Sequence, residues 1–316
     1  MRAPDFWHKQ SGFEAFVLTP ASWLYRLGSK LQRHFAKPYQ AKIPTICIGN
    51  VVAGGAGKTP TALAIAEVLK HGGARPVFVT RGYGGFEKGP LQVDPGHHTA
   101  ADVGDEALLL ARSAPVWVAR DRAAGLKAAE THGTHIIMDD GFQNPYVKPD
   151  LSFLVIDAAS GLGNEKLIPA GPMREPLSDA MKRAAAVILI GDHDDHNIAE
   201  RIHCPVIRAR IQPHLPADFP KTQKFFAFAG IAMPDKFYQS CARVDLMISG
   251  TRDFPDHHPF TAKDIEELHK SAEANGAQLL TTEKDWIRLP YEARSRIRTF
   301  PIRLRFDDLE TMKALL

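Results

Sequence analysis

Ile43-Pro44-Thr45-Ile46-Cys47-Ile48 runs into Gly49-Asn50-Val51-Val52-Ala53-Gly54-Gly55-Ala56-Gly57-Lys58-Thr59-Pro60, and then into Thr61-Ala62-Leu63-Ala64-Ile65-Ala66. An apolar run, a glycine-rich turn and an alanine-rich helical stretch, in that order, make a cradle for phosphate. Glycines let backbone N–H groups curl around a β-phosphate, Lys58 reaches the β and γ oxygens, and the Thr59 hydroxyl is placed to ligate Mg²⁺. Gly54, Gly55, Ala56, Gly57, Lys58, Thr59 and Pro60 are therefore the expected nucleotide contacts, with ATP and Mg²⁺ as the ligands. Pro60 sits just inside the helix start, where its missing N–H is harmless. One position departs from the pattern: Val52 stands where the first glycine of such a loop usually falls.

Working outward, short apolar runs alternate with helical stretches. The runs are Pro76 to Thr80, Pro115 to Ala119, His135 to Asp139, Leu151 to Asp157, Ala185 to Ile190 and Pro205 to Arg210, and the helical stretches include 59–70 and 121–130. Continuous apolar strands separated by helices predict a parallel sheet covered on both faces, a doubly wound α/β domain of P-loop NTPase type over 43–211. The proline-bearing segment 212–224 reads as a linker. Beyond it, runs at 225–228, 244–248, 278–281 and 299–302, with a helical pattern over 261–275, predict a second, smaller α/β domain over 225–316 that closes over the site.

The first 42 residues differ. Over 21–37, Trp23, Leu24, Leu27, Leu31 and Phe35 fall within roughly 120° of helical arc, and Arg26, Lys30, Arg33 and Lys37 fall beside them within roughly 60°. The pattern is that of an amphipathic helical arm in an anionic membrane interface, or equally of a surface helix packing its stripe on the core.

The chain has 316 residues, 44% hydrophobic and 24% charged, with 39 basic against 36 acidic side chains and a net charge of +3. So even a balance excludes a field on the scale that nucleic acid binding requires. The three cysteines, Cys47, Cys204 and Cys241, match neither a zinc spacing nor a disulfide framework and point to a reducing compartment. Neither a signal peptide nor a run of about 18 apolar residues occurs, so the expectation is a chain that is neither exported nor membrane-spanning.

Further candidates stand at segment ends. His135-Ile136-Ile137-Met138-Asp139-Asp140 is an apolar strand ending in two carboxylates suited to Mg²⁺. Asp105, after Gly104 and before Glu106, is either a helix cap or a base for an attacking hydroxyl. Asp256-His257-His258, between two prolines, is a solvated loop, a partial metal site or part of an acid/base pair. Arg81-Gly82-Tyr83-Gly84-Gly85 is either a turn or a substrate-contacting loop. Arg120, Arg122 and Arg174 are either salt-bridge partners or phosphate contacts.

In one order, these segments together with Pro169-Ala170-Gly171-Pro172-Met173-Arg174-Glu175-Pro176, Asp139-Asp140-Gly141-Phe142-Gln143 and Thr281-Thr282-Glu283-Lys284-Asp285 make the chain resemble the tetraacyldisaccharide 4′-kinase family, the lipid A 4′-kinases. The resemblance implies transfer of the ATP γ-phosphate to the 4′-hydroxyl of a tetraacylated glucosamine disaccharide 1-phosphate, with Mg²⁺. It places the protein peripherally on the cytoplasmic face of the bacterial inner membrane and implies two α/β/α domains around a cleft. By the same resemblance, Lys58 and Thr59 hold phosphate and metal, Asp139 and Asp140 organise Mg²⁺, and Asp105 is the base. His257 is favoured over His258 as its partner, and Arg81, Tyr83, Arg120 and Arg174 are the substrate contacts. No nucleic acid and no obligate protein partner is expected. Where the family carries a histidine after the Asp-Asp-Gly-Phe-Gln run this chain has Asn144, so a cationic role for that side chain is not carried over. The alternatives are a nucleotide-dependent switch or assembly factor, for which Thr282-Glu283-Lys284-Asp285 offers an imperfect guanine-reading loop, and a membrane-surface binding module.

Overall fold

The structure, a computed structural model, describes residues 4–8, 12–192 and 198–316. Residues 1–3 and 9–11 of the expected arm, and 193–197 of the expected nucleotide domain, lie outside the described residues. The strands are β1 Thr45–Gly49, β2 Pro76–Thr80, β3 Leu91–Gln92, β4 Val116–Val118, β5 His135–Asp139, β6 Leu151–Asp157, β7 Ala186–Ile190, β8 Val206–Pro213, β9 Lys224–Ala229, β10 Met247–Asp253, β11 Gln278–Thr282, β12 Arg298–Phe300 and β13 Ile302–Phe306. They form a nine-stranded sheet, β13-β8-β7-β6-β1-β5-β2-β4-β3, and a four-stranded sheet, β10-β9-β11-β12.

The large sheet is parallel from β8 to β4 and carries an antiparallel strand at each edge. Its central strands, β1, β2 and β4 to β7, are buried nearly throughout because both faces are covered, whereas β8 alternates buried with exposed residues toward the edge. Alternate residues of one strand enter different cores: Ile46 and Ile48 pack with Ile65, Phe78, Leu110 and Ile137, while Cys47 packs with Val79, Leu126, Met138 and Leu154. Each such aliphatic or aromatic side chain removed from water contributes about 1.5–3 kcal/mol.

From β1 the chain builds outward on one side through β2 and β4, returns with β5, and crosses to the other side with β6. Ligands gather at the carboxyl ends of strands where a doubly wound sheet changes direction in this way. The register pairs Ile48 with Asp139, so the β1 loop and the acidic end of β5 open side by side.

The smaller sheet is wholly parallel. Phe225 and Ala227 pack beneath the helix Pro234–Ala242, and Phe226 and Phe228 beneath Ala262–Ala274. The latter helix starts with a capping box, Thr261 with Asp264, that occupies two otherwise orphan N–H groups.

Several boundaries differ from those read in the sequence. The expected strand 244–248 is shifted to β10, Met247–Asp253, because 244–246 hydrogen-bond back to the end of the helix Pro234–Ala242. The expected strand 299–302 is two strands, because Pro301 interrupts the run. The second of these, β13, leaves the smaller unit and pairs with β8, Leu304 opposite Ile211, so the last residues belong to the large sheet rather than to a self-contained domain over 225–316. Correspondingly, the expected linker 212–224 begins inside β8, which runs to Pro213. The two units are thus joined by two chain crossings, before β9 and after β12.

A short 3-10 turn, Asp5–His8, precedes the arm's long helix, Phe13–Phe35, which continues through Pro20. It docks on its small face: Ala15 and Ser22 are buried, and the Ser22 hydroxyl donates to Leu167 O (2.7 Å) and accepts from Ala170 N (3.2 Å). Its apolar stripe points away from the core, with Phe13 80% and Phe35 75% exposed and Trp23, Leu24, Leu27 and Leu31 exposed between them. The core-packing reading of this stripe is therefore overturned. Two of the basic residues also face inward, Arg33 to Glu175 (2.9 Å) and Arg26 to Asp179 (3.4 Å). Among the described residues no helix is long and apolar enough to cross a membrane.

Candidate active site

The loop after β1 turns on glycines at positive φ, Gly54 (127°) and Gly57 (86°), and the helix Lys58–His71 starts directly behind it. A Cβ on Gly57 would meet Ile190 Cδ1 at 2.6 Å, whereas one on Gly54 or Gly55 would meet nothing within 4 Å. The inner turn is thus tight and the outer rim open, as a loop curling around a ligand requires. Val52 has a physical reason to stand where a glycine is usual. It forms an antiparallel bridge with Met173, Ala53 N donates to Pro172 O (2.8 Å) and Arg174 N to Val51 O (2.7 Å), so this part of the loop is extended and needs no positive φ.

Beneath the loop, the Thr59 hydroxyl donates to Asp139 Oδ2 (3.0 Å). Asp139 is 3% exposed and its Oδ1 is buried with no hydrogen-bond partner. Burial pushes its carboxyl up to about 6, with Lys58 opposing and Asp140 adding to the rise. A buried carboxylate oxygen left without a donor, next to a threonine hydroxyl at a helix start, fits a hard divalent cation such as Mg²⁺. Asp140 takes a left-handed backbone (φ 54°) and lies 3.0 Å from Arg174 Nη1 and 3.7 Å from Lys58 Nζ. Arg122, which is buried, donates to Ala119 O, Asp139 O and Asp140 O and so ties the ends of β4 and β5 together; it is a structural clamp and not a free phosphate contact.

Elsewhere on the same unit, Gly104 (φ 84°) ends one short helix and starts the next, Asp105–Ala111. Asp105 is buried at that start, and its Oδ2 lies 3.0 Å from His257 Nδ1, 3.3 Å from Arg288 Nε and 3.8 Å from Lys284 Nζ. Burial works against the Asp105 charge, but the hydrogen bond to His257 and the Lys284 ammonium more than offset it and hold the carboxyl well below the usual carboxylate range. His257 moves the other way, upward, chiefly through that hydrogen bond. His258 is engaged elsewhere, 3.1 Å from Asp264 and against the Phe254 and Phe260 rings.

The structure therefore joins Lys58, Thr59, Asp139, Asp140 and Arg174 in one group and Asp105 with His257 in another, with Glu106 beside Asp105 close enough to act on the Asp139 carboxyl. Tyr83 is 72% exposed with its ring 6.2 Å from that of His257, and Arg81 beside it is exposed. Arg120 reaches back to Gly85 O and Phe86 O (both 3.4 Å) and steadies this loop. Asn144 accepts from Tyr146 N (2.8 Å) in a local turn.

Sequence reasoning missed Asn50, which accepts from Lys58 Nζ (3.4 Å) and donates to Val52 O (2.7 Å), and Arg288, which reaches Asp105. Glu175 and Gln143 were visible only as members of a motif; here Gln143 donates to Asn50 O (2.8 Å) and to Glu175 (3.1 Å), linking the loop to the arm's Arg33. The guanine-reading alternative loses its residues: Lys284 pairs with Glu106 at 3.0 Å, and Asp285 is fully buried, accepting from Gly230 N (2.9 Å).

A glycine-rich phosphate loop at a helix start, with a buried carboxylate at the end of the neighbouring parallel strand, is the arrangement of the P-loop class of nucleotide-binding proteins. Comparison with known proteins makes the class specific. The family described as LpxK, tetraacyldisaccharide-1-P 4′-kinase, matches residues 14–316, and the chain belongs to that family. A Rhodospirillum centenum tetraacyldisaccharide 4′-kinase is 43% identical, covering 100% of this chain and 96% of its own length. One from Paramagnetospirillum magneticum is 46% identical over 97% and 95%. The crystal structure of LpxK from Aquifex aeolicus in complex with ATP superposes with a TM-score of 0.76 at 26% identity, covering 95% of this chain and 98% of that one.

Proposed function

We propose that this chain transfers the γ-phosphate of ATP to the 4′-hydroxyl of a tetraacylated glucosamine disaccharide 1-phosphate, in lipid A biosynthesis, at the cytoplasmic face of the bacterial inner membrane. The observation that supports the reading is the Asp105–His257 pair, drawn from the two units, next to Glu106, whose charge reaches the Asp139 carboxyl beneath the phosphate loop.

Phosphoryl transfer passes through a loose transition state, so catalysis is alignment and charge neutralisation more than base strength. Backbone N–H groups from Gly54 to Thr59 and the Lys58 ammonium hold the β- and γ-phosphates. Thr59 and Asp139, with Asp140 alongside, would hold Mg²⁺, which when bound neutralises charge on the transferring group. Arg174 balances Asp140. Asp105 accepts the proton of the incoming hydroxyl at a carboxylate oxygen, and His257 fixes that carboxylate's orientation. Because a loose transition state releases the hydroxyl proton late, a carboxylate held below its usual range still serves. Arg81 and Tyr83, on the exposed rim beside His257, contact the sugar phosphate, with Arg120 steadying their loop. In this reading the unit around β9–β12 closes over the site, and the exposed stripe of Phe13–Phe35 lies in an anionic interface where the acyl chains of the substrate also lie.

Incubation with ATP, Mg²⁺ and the tetraacylated disaccharide 1-phosphate tests the reading. A lipid product one phosphate heavier supports it; ATP consumption with unchanged lipid contradicts it.

A further inference from the structure

Arg288 closes the short helix Glu283–Arg288, and its side chain is only 5% exposed. A buried guanidinium is costly to desolvate and persists where its donors have fixed partners. Here Nη1 donates to Gly230 O (3.0 Å), Nη2 lies 3.1 Å from Asp285 Oδ1 but off the hydrogen-bonding direction, and Nε, bonded to Lys284 O (3.3 Å), also lies 3.3 Å from Asp105 Oδ2.

Gly230 makes these contacts consequential. Its carbonyl, which accepts from Arg288, also accepts from His257 N (3.1 Å), and its N–H donates to Asp285 (2.9 Å). A Cβ there would meet Pro255 O at 3.1 Å and Asp285 Oδ1 at 3.2 Å, so the backbone is packed from both sides. His257 itself sits at φ 58°, a conformation that a histidine keeps only when its surroundings hold it. One guanidinium therefore touches the Asp105 carboxylate directly and the His257 backbone through a single shared oxygen.

We propose that Arg288 is a positioning residue for the transfer: from the smaller unit it holds the Asp105 carboxylate and the loop bearing His257 in register with each other. This rests on the functional reading above. Arg288 is too enclosed to meet substrate, so it acts through Asp105 and His257. Lys284, at 28% exposure and nearer to Glu106, adds charge without this geometry. The planar fork is what the role requires, and an ammonium cannot span Gly230 O, Asp285 and Asp105 together.

The test is a double-mutant cycle on the full chain, read as initial rates of phosphate transfer to the tetraacylated disaccharide 1-phosphate. Wild-type transfer is measured first, and its absence would sink the functional reading rather than this one. Arg288→Met is expected to lower kcat about tenfold or more while KM for MgATP stays within about twofold. Placed on an Asp105→Asn background, it is expected to cost less than about twofold further, because the group it positions is gone. Arg288→Lys, which keeps a charge and a folded core, is expected to recover less than half of the lost rate and stands in for Met should that variant not fold. An equal fold-loss in both backgrounds, a loss confined to KM, or full activity in Arg288→Lys would overturn the proposal.

Discussion

The Nδ1 atom of His257 lies 3.0 Å from Oδ2 of Asp105, although 152 residues separate them in sequence. The acid stands on the large unit at the start of Asp105–Ala111, the histidine on a loop after β10 of the smaller unit. The pair therefore depends on how the two units sit together, which the contacts of Lys284 and Arg288 with Asp105 also fix.

Asp105→Asn keeps the shape of the side chain and removes its charge. Turnover is expected to fall roughly a hundredfold, about 3 kcal/mol of transition-state stabilisation, with ATP affinity little changed because the phosphate loop is untouched. Steady-state rates beside a calorimetric ATP titration check this; near-normal turnover by folded protein would remove Asp105 from the mechanism.

Asp139 is the group whose titration should be visible near physiological pH. Its carboxyl in the folded, ligand-free protein is raised from 3.8 to about 6, so the stabilisation associated with its neutral form is fully present below about pH 4 and is lost as pH rises through about 6. At pH 7.5 the ionised, partly unsatisfied carboxylate costs stability, and Asp139→Asn is expected to raise the melting temperature of the ligand-free protein there, by on the order of 1–3 kcal/mol in stability. The gain should vanish near pH 4. The same variant should lose Mg²⁺-dependent turnover, and wild-type kcat/KM should decline below about pH 6 as the proton competes with the cation. A destabilised Asp139→Asn protein at pH 7.5 would contradict this.

Gly104→Ala changes no chemical group but strikes backbone. A Cβ there would lie 2.4 Å from Tyr83 O at φ 84°, and neither the carbonyl nor the angle can yield cheaply. The 81–85 loop and Asp105 must both shift, and a displacement of about 1 Å is enough to cost about a hundredfold in rate. Loss of kcat with a lowered melting temperature is expected; unchanged kinetics would show that the loop and Asp105 are not mechanically joined.

How far the sequence carried this account depends on the range of the interaction. The β1 loop, Thr59 and Asp139 were legible because strand, turn and helix signals are local, whereas the register that pairs Ile48 with Asp139 is seen only in the fold, since strands buried on both faces carry no alternation to set it. His257 is favoured over His258 in sequence only through the family resemblance, since the physical choice depends on Asp264 holding one and Asp105 the other. Arg288 gave no signal: an arginine at a helix end is ordinary, and only the fold brings Gly230 and Asp105 to it. The return of β13 to β8 was likewise invisible, because an antiparallel edge strand looks the same in sequence whichever sheet it joins.

For the arm, point substitutions are cleaner than deletion, which would also remove the Arg33–Glu175 and Ser22 contacts. Phe16→Ser, Leu24→Ser and Phe35→Ser together remove exposed apolar surface only, so the melting temperature should hold while binding to anionic vesicles falls at least tenfold. Undiminished sedimentation with vesicles would place attachment elsewhere.

The most direct test of the central claim follows the label from γ-³²P-ATP in the presence of Mg²⁺ and the tetraacylated disaccharide 1-phosphate. The account requires that wild-type protein put the label on the 4′-oxygen of the sugar, and that folded Asp105→Asn protein, still binding ATP, lose nearly all of that transfer. Label appearing only as inorganic phosphate, or undiminished transfer by the Asn variant, would contradict it.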